Sequence, residues 1–105
     1  MLYSHQIQKN CLIIQLLVIE DDMSFINSLF SKDCKHLILN LSEVSNINTE
    51  HLTKFTTFGK NLVQNNSFVM ISNQFLHDEF LVVPTLQEAF DIIEMEDIEL
   101  SLIHI

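Results

Sequence analysis

The sequence predicts an α/β domain whose mostly parallel sheet of about five strands opens with a β-hairpin and is flanked by three to four helices. Three observations carry that expectation. Short apolar runs of strand length, at 11–19, 36–41 and 68–71, alternate with segments whose apolar residues recur at helical spacing. The first run is preceded by a loosely alternating stretch, 2–8, with only Lys9-Asn10 in between, which is turn length for a hairpin. A Thr85-Leu-Gln-Glu88 capping box then opens the last helix. With 105 residues there is material for one hydrophobic core, so 1–105 reads as a single domain.

In the opening hairpin, Asn10 suits the turn because Asn tolerates a left-handed backbone. The acidic Glu20-Asp21-Asp22 offers N-caps for a short helix in which Phe25, Ile26, Leu29 and Phe30 share one side, ending near Lys32-Asp33. The run from His36 to Leu41 is nearly continuous in apolar residues, as a strand buried on both faces requires. Residues 42–46 are a loop by composition. From Asn48 the period becomes helical: Leu52, Phe55, Gly59, Leu62 and Val63 fall on one stripe that reaches Gln64. Gly59 inside this helix costs roughly 1 kcal/mol relative to Ala, so a close approach by a neighbouring element is expected there.

Residues 68–71 form a fourth strand and 81–83 a short fifth, joined by a segment with room for one helical turn. In the last helix Leu86, Ala89, Phe90 and Ile93 make the buried stripe, while Asp91 and Glu94 line the outer face. Glu96, Asp97 and Glu99 follow, and acids at a helix C-terminus oppose the macrodipole, so fraying is expected after Met95. Over 98–105 the apolar residues alternate, which predicts an extra strand that joins its own sheet or pairs with another copy in a homodimer.

Composition narrows the function. Five Lys, no Arg and fourteen acidic residues give a net charge of −9. That surface repels phosphates and anionic lipid and lacks the guanidinium fork, which argues against nucleic acid and membrane as partners. The run at 11–19 is too short to span a bilayer, and the first residues lack a basic signal-peptide region. Cys11 and Cys34 make no C-x-x-C, so reduced thiols and a cytoplasmic location are expected. Cys34-Lys35-His36 has no second ligand pair, so neither metal nor cofactor is expected. His77-Asp78-Glu79 reads as a solvated loop, since no nucleophile or oriented partner accompanies it, and no Gly-rich phosphate loop occurs. An enzyme is not expected.

The stretch Leu37-Ile-Leu-Asn-Leu-Ser-Glu-Val-Ser-Asn-Ile-Asn-Thr-Glu-His-Leu52 resembles the signature of the STAS family, the sulfate-transporter and anti-sigma-factor-antagonist domains. There a central strand leads through a small loop and an Asp-Ser-Ser/Thr-Gly-Leu motif into a long helix. The opening hairpin, the acidic turn, the short first helix and the segment from Val83 to Phe90 are similar to the family's as well. The resemblance implies a STAS-like fold, a kinase-like or anti-sigma-like protein partner, and phosphorylation of the hydroxyl residue after the motif Asp. That position is Thr49, preceded by Asn48 instead of Asp and followed by Glu50 and His51 instead of Ser/Thr and Gly.

Two readings follow. In the first the domain is a non-catalytic regulatory module that offers Asn46, Asn48, Thr49, Glu50, His51 and Lys54 to a partner, with Thr49 as phosphoacceptor. In the second it is a degenerate STAS-like assembly domain without a phosphoswitch, self-associating through the C-terminal strand. The same residues also suit plain helix capping: Asn48 or Thr49 as N-cap and Glu50 as a first-turn acid favoured by the dipole.

Overall fold

Lys9 and Asn10 both adopt left-handed backbone angles, φ 54° and 65°, as a two-residue type I′ turn demands. The turn joins β1 (Tyr3–Gln8) to β2 (Cys11–Leu16) in an antiparallel hairpin running from Tyr3↔Leu16 to Gln8↔Cys11. The computed structural model describes residues 3–18, 24–30, 34–44, 47–63, 66–73 and 82–103. After the hairpin come α1 (Phe25–Leu29), β3 (His36–Asn40), α2 (Thr49–Val63), β4 (Phe68–Ile71), β5 (Val82–Val83) and α3 (Leu86–Ile103). The five strands lie in the order β1-β2-β3-β4-β5, and every pair after the hairpin is parallel. The expected α/β architecture is therefore present, with three helices among the described residues.

Alternation along the central strands sorts their side chains to two layers. Leu12, Ile14, Leu16, Leu37, Leu39, Phe68 and Met70 pack with Ile26, Leu52, Phe55 and Val63 under α1 and α2. Cys11, Ile13, Ile38, Val69, Ile71 and Val83 pack with Ala89, Phe90 and Ile93 of α3 on the opposite face. Gly59 behaves as its cost foretold: a Cβ there would overlap Cδ1, Cε1 and Cγ of the Phe68 ring, so its absence lets α2 lie against β4.

His36, the residue weighed as half of a Cys-His ligand pair, is 1% exposed and has a structural task. Its Nδ1 accepts the Ser67 backbone N–H at 3.0 Å, and the Ser67 hydroxyl donates to Glu96 Oε2 at 2.9 Å. This chain of bonds ties the start of β3 to the entry of β4 and to α3. Cys11 and Cys34 are both buried. Among the described residues no group of three or more His, Cys, Asp or Glu could hold a metal ion, and no helix is long and apolar enough to cross a membrane.

The C-terminal segment departs from expectation. In place of fraying after Met95 and a strand over 98–105, α3 continues as helix to Ile103; residues 104 and 105 lie outside the described ones. Nothing between Met95 and Ile103 breaks a helix: there is no Gly, Pro or Asn, and Met, Glu and Leu are good helix formers. The opposing dipole is worth about 0.3–1 kcal/mol per exposed charge, too little to stop propagation. Assembly through a C-terminal strand thereby loses its structural basis. Ser24, rather than the acids at 20–22, precedes α1, and it makes no side-chain cap bond. The acids, the end expected near Lys32-Asp33, the turn between β4 and β5 and His77-Asp78-Glu79 fall outside the described residues.

Candidate functional site

Parallel strands require each connecting segment to return across the sheet, so α2, which leads from the end of β3 to the start of β4, begins at the strands' C-terminal end. There the chain leaves β3 with Leu41 N–H donating to Ile71 O at 2.8 Å and Ser42 N–H to Asn40 Oδ1 at 3.0 Å. Val44 N–H closes a turn onto Leu41 O at 3.1 Å, and Val44 and Ile47 are buried in the α2-side core. Asn46 lies outside the described residues.

Asn48 is the N-cap. Its Oδ1 accepts the His51 backbone N–H at 2.9 Å, and His51 Nδ1 accepts the Asn48 backbone N–H at 3.3 Å. This is the reciprocal arrangement of a capping box, with an imidazole in the role usually taken by Glu or Gln. An Nδ1 that accepts leaves the ring proton on Nε2, a tautomer inferred from the bonding. Ile47 before the cap and Leu52 after the box belong to one buried cluster, the placement of a hydrophobic staple. The His51 ring also lies near-parallel to Phe55, at 6.4 Å between centroids and 23° between planes. The two most unusual motif positions, Asn48 and His51, are thus partners: each makes sense with the other present.

Capping by Asn48 settles which polar residue closes the helix end and leaves Thr49 as the first helical residue. Thr49 is exposed, its carbonyl accepts from Thr53 Oγ1 at 3.1 Å, and its hydroxyl has no partner among the described residues. Glu50 follows it, exposed, and Lys54 stands one turn further on. Below them Leu52, Phe55, Gly59 and Val63 anchor the helix in the core. Among the described residues the site is thus a helix end carrying the exposed Thr49 hydroxyl, the Glu50 carboxylate and the Lys54 ammonium group.

Leu17 and Val18 were not anticipated. They follow β2 directly and are 45% and 44% exposed. Gln15 pairs with Asn40, so they leave the sheet at the end where Leu41 and Ser42 leave it. The signal was in the sequence: the apolar run 11–19 exceeds the strand it feeds, which ends at Leu16.

Replacing Asn48 with alanine is expected to remove the Oδ1 acceptor of the His51 N–H, while the backbone N–H of residue 48 can still donate to the imidazole, and to destabilise the fold by about 1 kcal/mol, as read from urea unfolding. An unchanged midpoint would mean that the cap contributes nothing.

No protein-family model matches the chain, and no curated protein matches it. Among solved structures, the crystal structure of an anti-sigma factor antagonist from Mycobacterium paratuberculosis aligns with a TM-score of 0.68 over 88% of this chain and 92% of that one, at 14% identity. At that identity the likeness is one of fold: the hairpin-led, otherwise parallel sheet described here is the STAS-type fold of that anti-sigma factor antagonist.

Proposed function

We propose that the chain is a non-catalytic regulatory module of the anti-sigma-factor-antagonist kind, acting in the cytoplasm, which presents the start of α2 to a protein partner and is switched by phosphorylation of Thr49. The observation that carries this reading is the division of labour at the helix end. Because Asn48 and His51 cap each other, the Thr49 hydroxyl is not needed for folding and stands exposed. Asn46, Asn48, Glu50, His51 and Lys54 complete the partner-facing surface, and exposed Leu17 and Val18 supply apolar contact beside it.

Charge gives the switch its mechanism. A phosphoryl group at Thr49 would sit at the positive end of the helix dipole, near the first-turn N–H groups. Glu50 opposes it, and the chain has no Arg to clamp it. The group would therefore point outward rather than reorganise the fold, acting by changing the charge met by a kinase-like or anti-sigma-like partner. Desolvated charge of the wrong sign at such an interface shifts affinity by roughly tenfold or more.

Intact-mass and peptide mapping of the chain recovered from its native cells tests the proposal. The expected result is a species about 80 Da heavier that maps to Thr49 and is lost in Thr49→Ala. A single unmodified mass under all growth conditions, with Thr49→Ala unaltered in co-purifying proteins, removes the switch.

A further inference from the structure

The two edges of the sheet differ in what they leave open. At one edge the described part of β5 is two residues, Val82–Val83, and Pro84 follows at once. At the other, β1 offers six residues, of which Ser4 to Gln8 are exposed. Edge strands are usually protected by charge, Pro, a bulge or a covering element. Tyr-Ser-His-Gln-Ile-Gln contains no Lys, Asp, Glu or Pro, and its register with β2 is unbroken from end to end, so there is no bulge.

Turn geometry decides which backbone groups face outward. In the type I′ turn, Gln8 and Cys11 form the closing pair that exchanges hydrogen bonds. Bonded and non-bonded pairs alternate along an antiparallel ladder. Gln8, Gln6 and Ser4 therefore direct their N–H and C=O groups to β2, while Ile7, His5 and Tyr3 direct theirs away from the sheet.

We propose that β1 is a self-pairing edge at which two copies of this chain join antiparallel about a two-fold axis through His5. His5 then stands opposite His5, and Tyr3 opposite Ile7, making one continuous sheet across the pair. Outward-facing residues can exchange bonds only with outward-facing residues, and this register engages all three from each copy, with up to six main-chain hydrogen bonds. On the face carrying α1, Ile7, 50% exposed, would meet the Tyr3 ring, which already stacks on Phe25 at 4.3 Å. Aromatic and β-branched residues make favourable cross-strand pairs. On the other face Ser4 would meet Gln6, a neutral polar pair.

Charge selects a second copy as the occupant. Chains of net charge −9 repel, so copies can meet only along an uncharged seam, and β1 carries no acid. A basic partner would find nothing on this strand to hold it. A strand met by its own reversed copy, in contrast, is complementary by symmetry. A six-residue seam is small, so the dimer is weak, and salt that screens the mutual repulsion strengthens it. The inference is independent of the phosphoswitch.

Sedimentation velocity on the full chain, in a concentration series at low and high salt, tests it. The expected mass rises from 12.2 kDa towards twice that value with concentration, and further with salt. His5→Pro removes an N–H that β2 does not use, at a position where Pro is tolerated, and is expected to weaken association at least about tenfold. Ile7→Lys, which keeps every backbone bond of the hairpin, should do the same and decides the matter if the proline variant fails to fold. A chain that stays monomeric at every concentration, or a dimer unaffected by Ile7→Lys, overturns the proposal.

Discussion

Truncating Phe55 to alanine is expected to destabilise the protein by about 3–5 kcal/mol, the cost of emptying a fully buried aromatic position. Phe55 is 1% exposed and lies in the cluster that joins α2 to the sheet. Against a total stability of roughly 5–15 kcal/mol such a loss leaves the chain close to its unfolding limit. The urea midpoint should fall with little change in slope. The effect also reaches the candidate site: the His51 ring rests against Phe55, so the imidazole half of the capping box loses its backing. A loss below about 1 kcal/mol would mean that α2 does not pack as described.

Gly59→Ala carries the second large effect, and its sign is the informative part. In an unconstrained helix the change would stabilise by roughly 1 kcal/mol. Here the new methyl meets the Phe68 ring, itself confined in a buried strand at 7% exposure. Overpacking of this kind costs about 1–3 kcal/mol, so net destabilisation is expected. In a Phe68→Leu background the obstacle is smaller, and the same substitution should become neutral or stabilising. A double-mutant cycle by thermal or urea unfolding reads this coupling directly; additivity within about 0.5 kcal/mol would show that the glycine is not there to admit the ring.

These two residues illustrate what a reader of the sequence can and cannot extract. Phe55 declared itself through helical spacing with Leu52 and Val63. Gly59 declared the need for a close neighbour without naming Phe68, because the partner is set by how α2 crosses the sheet. Lys9-Asn10 announced the turn through its length and through Asn10, which tolerates a left-handed backbone; the same conformation at Lys9 was not foretold. Thr85 caps α3 as its spacing with Glu88 foretold, accepting the Glu88 N–H at 3.2 Å. The tail misled because alternation over a few residues occurs in helices as well as in strands, and only a breaker would have separated the two.

At the candidate site the legible part was position: a hydroxyl at the start of a long helix after a buried strand. The pairing of Asn48 with His51 was not legible, because His is an uncommon third residue of a capping box and the tautomer that allows it depends on local geometry. The bond from His36 to Ser67 was hidden for another reason. Its members are separated by 31 positions, and only the parallel register of β3 and β4 brings them together.

The strictly sequential order of the strands bears on how the protein is made. A ribosome releases the hairpin before the other described strands, and each of these finds its one neighbour already in place; none of them has to be wedged between two earlier ones. The growing edge moves in a single direction, from β2 towards β5, so a nascent chain can lay down its sheet as it emerges, without undoing a pairing already made.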